Sequence, residues 1–288
     1  MIRYAIKNSE LRDRIETQKP GWLDRARDKT KANEKTGEPE FPPLWSEIKQ
    51  VYIDLQHSKC AFCEKPLEGR IEQDVEHFRP KAKVTAWSPS QTLLDEGLVL
   101  KQPANNSDEP GYTFLAYHPL NYIMSCKTCN SVFKRNLFPI ARSRRSKAKK
   151  PPAVSTEKPL LVYPISDIDD DPEELLEFHG WTAQPKHASG FERLRALSVI
   201  ELFALNDWAK RKELLVGRAR QMQLLYLNLA ALDDNTNQTL VRAAKKNVDR
   251  MLSSAEPHAN CLRSFALLFR TDRAQADVFF AWHRRPGR

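Results

Sequence analysis

The last third of the chain carries its clearest hydrophobic rhythm. From residue 191 onward, apolar side chains recur three and four positions apart, as in Leu194, Leu197, Ile200 and Phe203-Ala204. That spacing lines one face of a helix. It predicts a first helix ending at Asn206-Asp207, a long second helix over 208–232, a third over 236–253, and two more over 259–269 and 274–282. Successive amphipathic helices on short connections bury their stripes against one another, so this half reads as a helical bundle. An exposed leucine stripe would instead offer a docking face to a partner.

The earlier chain is shorter in period and more mixed. Residues 9–17 predict a helix with Ser9 as its cap, and Trp22 anchors a short second one. Residues 28–39 are charged and read as a loop. Residues 44–57 predict an amphipathic helix through Trp45, Ile48, Val51, Tyr52 and Leu55. A short hairpin is expected over 63–81, and a proline-broken insertion over about 84–112. Residues 112–117 and 121–124 are aromatic and apolar core segments, and a helix should start after Cys129. Residues 160–163 read as a strand and 177–181 as a strand and turn. Asp171 before Pro172-Glu173-Glu174 reads as a helix start with proline in the first position. Capping therefore accounts for the acidic run 167–171 better than a second metal site does. The expected class is α+β, mostly helical. The expected divisions are a charged extension over 1–43, a core over 44–150 and a helical partner-docking or substrate domain over 151–288.

Composition narrows the setting. Hydrophobic residues make up 41% of the chain, enough to bury a real core. No run of about 18 apolar residues exists, which excludes a spanning helix. The opening residues carry no secretory signal, and five cysteines without a disulfide pattern suit a reducing cytoplasm. The formal charge of +9 makes a polyanionic partner plausible. Residues 133–150 hold eight cations and no acid. Lys134 and Arg135 open this run, which either contacts phosphates or is a solvated linker ending at Pro151-Pro152.

Chemistry concentrates between Cys60 and Asn136. Cys60-x-x-Cys63 and Cys126-x-x-Cys129 are two matched knuckles. Each places two thiolates on one tight turn, and together they complete a tetrahedral four-sulfur zinc site. Such a site has no open position for substrate, so the zinc is structural. His57 is not needed as a ligand, and Cys261, in an apolar run, reads as core. Between the knuckles stands Glu76-His77. A neutral imidazole can take a proton from water near pH 7, and a carboxylate can hold a hard divalent cation. In a strand the two side chains face opposite ways, so they can serve one centre only at a bent strand end.

The stretch resembles the HNH nucleases, a ββα-metal family with a zinc-clipped subclass. The resemblance rests on Cys60, Cys63, Glu76-His77, Pro80, Asn121, Cys126, Cys129-Asn130, Lys134 and Asn136. It implies that His77 is the general base, that Asn121 tethers the loop carrying it, and that Glu76 and Asn130 hold a catalytic Mg²⁺ or Mn²⁺. Lys134, Arg135, Arg79 and Lys81 would face substrate phosphates. More narrowly, Asp74-Val75-Glu76-His77-Phe78-Arg79-Pro80-Lys81 and Cys126-x-x-Cys129-Asn130 resemble the HNH nucleases of Septu-type anti-phage systems, including those attached to retrons. That likeness implies an endonuclease acting on nucleic acid, DNA ahead of RNA, beside an ATPase partner. Asn130 stands where many relatives have histidine, and His118 precedes Asn121 where a tryptophan or an acid is expected. His118 is then an extra ligand, a base or a loop residue. The other reading is a zinc-stabilised nucleic-acid-binding module without catalysis, in which Glu76-His77 is a surface pair.

Overall fold

The structure, a computed structural model, describes residues 1–36, 38–101, 108–234 and 236–282. Part of the expected insertion, 102–107, lies outside these residues. The elements follow in order. The first are α1 (Asn8–Gln18), α2 (Trp22–Lys35), a 3₁₀ turn (Leu44–Ile48) leading into α3 (Lys49–Leu55), and β1 (Asp74–His77). Then come β2 (Lys83–Val84), α4 (Gln91–Asp95), β3 (Glu109–Pro110), β4 (Tyr122–Ser125) and a π-helix (Thr128–Lys134). After these come α5 (Val154–Glu157), α6 (Pro172–Leu175), β5 (Leu176–His179) and β6 (Thr182–Pro185). The chain closes with α7 (Gly190–Leu202), α8 (Trp208–Asp234), α9 (Gln238–Met251), α10 (Ala259–Thr271) and α11 (Arg273–Trp282).

The C-terminal helices form the expected bundle, with Met222, Leu225, Val248, Leu262, Phe265 and Phe269 at its centre. The rest of the core is one apolar cluster reaching from Ile2 to Cys261. Asp171 does cap α6, its side chain accepting from the Glu173 amide, and Pro172 fills the first position. Asp169 and Asp170 are taken by the buried guanidinium of Arg195, so they hold an ion pair.

Four local expectations fail, each for a physical reason. Residues 28–35 belong to α2, because Lys29, Lys31, Ala32, Glu34 and Lys35 are helix formers and Trp22 and Ala26 bury one face. Ser9 lies inside α1, whose cap position is Lys7. The residues of 160–163 are buried without a ladder, since side chains satisfy their backbone: Arg195 donates to the Leu161 carbonyl and Asp169 accepts from the Tyr163 amide. No hairpin closes within 63–81. Instead β1 pairs antiparallel with β4, in the register Asp74↔Ser125, Glu76↔Ile123 and His77↔Tyr122. All four residues of β4 are buried, so it crosses the core as the site's inner strand.

His258 enters α10 in the left-handed region, at φ 59°. Its Nδ1 is buried without a partner. Burial, with the Arg218 guanidinium nearby, holds the ring down to about 4. The unfolded chain, near 6.5, therefore binds more protons than the fold below that pH. Stability is lost as pH falls from 6.5 toward 4. At pH 5 the loss from this ring is about 2 kcal/mol. Denaturant titrations at pH 7 and pH 5 should show it, and His258→Leu should shrink the difference by about that amount. An unchanged difference would remove His258 as its source.

Candidate active site and metal centre

The two knuckles meet. The sulfurs of Cys60, Cys63, Cys126 and Cys129 lie within 4.8 Å of one another, all buried. A zinc tetrahedron with Zn–S of about 2.3 Å has edges of about 3.8 Å. Cys63 Sγ stands 3.9 Å from Cys126 Sγ. The donor set and the spacing fit a structural ion such as zinc. Among the described residues no other three His, Cys, Asp or Glu side chains converge this way. His57 is exposed and outside the cluster. Four thiolates on a divalent ion leave two negative charges. Arg211, on α8, answers them: its guanidinium donates to Cys129 Sγ at 3.5 and 3.6 Å. The thiolates in turn raise the Arg211 pKa against its own burial.

The first knuckle is also stitched to β4 through the backbone. The Ala61 amide donates to the Met124 carbonyl at 2.9 Å. Gln56, at the end of α3, accepts from the Met124 amide at 2.7 Å and donates to the Met124 carbonyl at 3.0 Å. The first knuckle and the end of α3 thus fix β4, and β4 fixes β1.

His77 ends β1 and is 6% exposed. Trp45 and Tyr122 meet its ring edge-on, at centroid distances of 4.6 and 5.1 Å. Its Nε2 lies 3.0 Å from the Ala116 carbonyl. A carbonyl only accepts, so Nε2 carries the proton and Nδ1 keeps the lone pair. Burial, then the Lys81 ammonium, holds the ring well below its usual range, so it is neutral at pH 7. Asn121 pins the chain that follows. Its Oδ1 accepts from the Arg79 amide at 2.8 Å, and its Nδ2 donates to the carbonyls of Arg79 and Leu115 at 3.0 and 3.1 Å.

One face of β1 meets the π-helix. Asp74 and Glu76 are two positions apart on the strand, so they share a face. Asn130 and Lys134, about one turn apart, answer them. Asn130 Nδ2 donates to Asp74 Oδ2 at 3.0 Å. Lys134 Nζ forms a short bond to Glu76 Oε1 and a 3.1 Å bond to the His77 carbonyl. Burial raises the Glu76 pKa, and Lys134 opposes the rise. The motif includes Asp74 but gives it no role; its place two residues before Glu76, on the same strand face, is the signal for one.

The four cations expected at phosphates divide. Arg135 is exposed, and Lys81 is half-buried with its ammonium 4.7 Å from the Trp45 ring. Arg79 instead turns inward, at 3% exposure, to Glu157 Oε2 at 3.2 Å and over the Phe138 ring. Lys134 is fully buried on Glu76. Each of these two is paired with a buried carboxylate.

No protein-family profile and no solved structure matches the chain. Over 131 residues, 46% of the chain, it is 33% identical to Septu protein PtuB of Bacillus mycoides (strain KBAB4). The chain is similar to PtuB. The match spans 38% of PtuB's own length, well short of the whole relative. Likeness to PtuB and the four-cysteine cluster agree with the Septu-type resemblance read from the motifs.

Proposed function

We propose that this chain is the nuclease of a Septu-type anti-phage system, a metal-dependent HNH endonuclease cutting nucleic-acid phosphodiesters. The observation that carries the reading is the state of His77: buried, neutral and fixed through Nε2, with Nδ1 its remaining basic nitrogen. Such a nitrogen can take a proton from water as the water attacks phosphorus. The Ala116 carbonyl orients the ring, and Asn121 fixes the chain that follows it. Lys81 and Arg135 offer positive charge to the flanking phosphates.

Glu76 Oε2 and Asn130 Oδ1 suit a hard divalent cation, since neither accepts a hydrogen bond among the described residues and both are oxygen donors. Mg²⁺ or Mn²⁺ held there would supply a Lewis acid for the phosphoryl and leaving oxygens. Asp74 then acts as a positioning residue, because holding the Asn130 amide nitrogen leaves its oxygen free. Asp74→Ala should raise the Mn²⁺ concentration for half-maximal cleavage by about 10-fold or more. Asp74→Asn, which can still accept from Nδ2, should retain most of the affinity. An unaltered metal requirement in Asp74→Ala would dismiss this role.

The reading is tested by incubating plasmid DNA, single-stranded DNA and total RNA with the protein in Mg²⁺ or Mn²⁺. Duplex or single-stranded DNA is the expected substrate. The ATPase partner enters through the Septu resemblance and the cytoplasmic setting through the cysteine pattern, and co-expression with such an ATPase is the arm to add if the chain alone is inert. Lys134 on Glu76 favours one other reading, a zinc-stabilised binding module in which the pair is purely structural. Tight nucleic-acid binding without turnover, with the ATPase present, would select it.

A further inference from the structure

A cavity of about 390 Å³ lies between the α1–α2 pair and the 114–119 segment. It falls in the size range of small-ligand sites, about 300–1,000 Å³. Its walls divide by chemistry. Leu23, Phe114, Tyr117 and Pro119 make an apolar, partly aromatic side. Arg12, Arg27, Lys31 and Lys149 bring four cations against one acid, Glu34. Glu34 is already paired with Lys149 at 2.9 Å, and Arg27 with Asp24 at 2.9 Å. Arg12 and Lys31 have no acidic partner among the described residues.

His118 adds a directed donor. Its Nδ1 accepts from the Leu120 amide at 3.1 Å, so the proton of the neutral ring sits on Nε2. Burial first, then Arg12 and Lys150, holds this ring down to about 4, so the neutral form persists at pH 7. Its Nε2–H has no acceptor among the described residues, and the ring lines the cavity. Two unpaired cations and a free N–H donor beside an aromatic wall fit an anion with a flat apolar part. We propose that this cavity binds a nucleotide, its phosphate between Arg12, Lys31 and His118 Nε2 and its base against Phe114. That chemistry is shared by a nucleic-acid end and a free nucleotide. The proposal does not depend on the nuclease reading.

The site has a physical route to His77. Tyr117 stacks on Trp45 at 6.2 Å, and Trp45 meets the His77 ring. Ala116, which holds His77 Nε2, directly precedes Tyr117.

Calorimetric titration of the full chain tests the proposal, with ATP, a 5′-phosphorylated tetrathymidylate, its unphosphorylated counterpart and inorganic phosphate as probes. The paired variant Arg12→Ala/Lys31→Ala changes two exposed side chains and should leave the fold intact, as circular dichroism can verify. It should weaken nucleotide binding about tenfold or more, since each cation makes a charge-assisted contact. A matched control, Lys245→Ala/Lys246→Ala on α9, should bind like the parent. His118→Asn keeps an acceptor for the Leu120 amide but lacks the Nε2 donor, and it too should bind more weakly. Preference for the phosphorylated tetramer over its counterpart would name a nucleic-acid end as the source. Preference for ATP over both would name a free nucleotide. Equal affinity of parent and Arg12→Ala/Lys31→Ala, or no binding of either nucleotide probe, would overturn the proposal.

Discussion

Replacing His77 by alanine is expected to cut nucleic-acid cleavage by about 10²–10⁴-fold, the usual contribution of a positioned general base. The expectation follows from how the ring is held. Its Nε2 is committed to the Ala116 carbonyl, so proton transfer has only Nδ1 to use. A second variant separates chemistry from packing. His77→Gln can still donate to the Ala116 carbonyl yet has no basic nitrogen. It should fail in cleavage as fully as the alanine variant while losing less thermal stability. Both should retain any metal held by the four-cysteine cluster, because the ring meets Trp45, Tyr122 and the Ala116 carbonyl. Parent-like cleavage by either variant would sink the mechanism. The assay needs gel-resolved rates for parent and variants on the preferred polymer.

The second large effect concerns the cysteine cluster. Cys126→Ser, or removal of metal by a strong chelator, should cost several kcal/mol of stability, because binding energy at a structural zinc is folding energy. For a chain of this size about 5 kcal/mol corresponds to a fall in Tm of roughly 10 °C or more. Loss of metal leaves buried sulfurs 3.9 Å apart with Arg211 facing them. The damage should spread past the knuckles, since Ala61 and Gln56 hang on β4 and β4 carries β1. Cleavage should therefore fall along with Tm. Metal content by plasma emission and a thermal melt decide the matter. A metal-free protein melting at the parent temperature would show that the apolar core alone holds these segments.

What the sequence made legible was mostly local. The knuckles could be read because each pair of ligands is three residues apart, and four sulfurs have one obvious meeting point. The C-terminal helices could be read because their apolar period runs unbroken over many turns. Other features depend on residues far apart in the chain. β1 and β4 are four residues each and separated by the whole insertion, so nothing local announces their pairing. Sequence gives the charge of Arg79 and Lys134 but not their direction. Glu157 and Glu76 draw them inward, and neither lies near its partner in the chain. The extension of α2 over 28–35 is hidden for the opposite reason: a charged run reads as a loop although most of its residues favour helix. A role for Asp74 is hidden because it depends on Asn130, on the π-helix.

Arg211 follows Cys129 by 82 residues. At synthesis rates of about 5–20 residues per second, that segment emerges on the order of ten seconds after the second knuckle. During that interval a newly loaded cluster would carry its surplus negative charge without the guanidinium that later offsets it. The nascent chain would then pass through a stage in which the zinc is in place but loosely held, its cysteines open to exchange, oxidation or capture by thiol-binding agents. Arrival of α8 would end that stage and seal the cluster. Starving a cell of zinc should therefore harm chains still being made far more than those already finished.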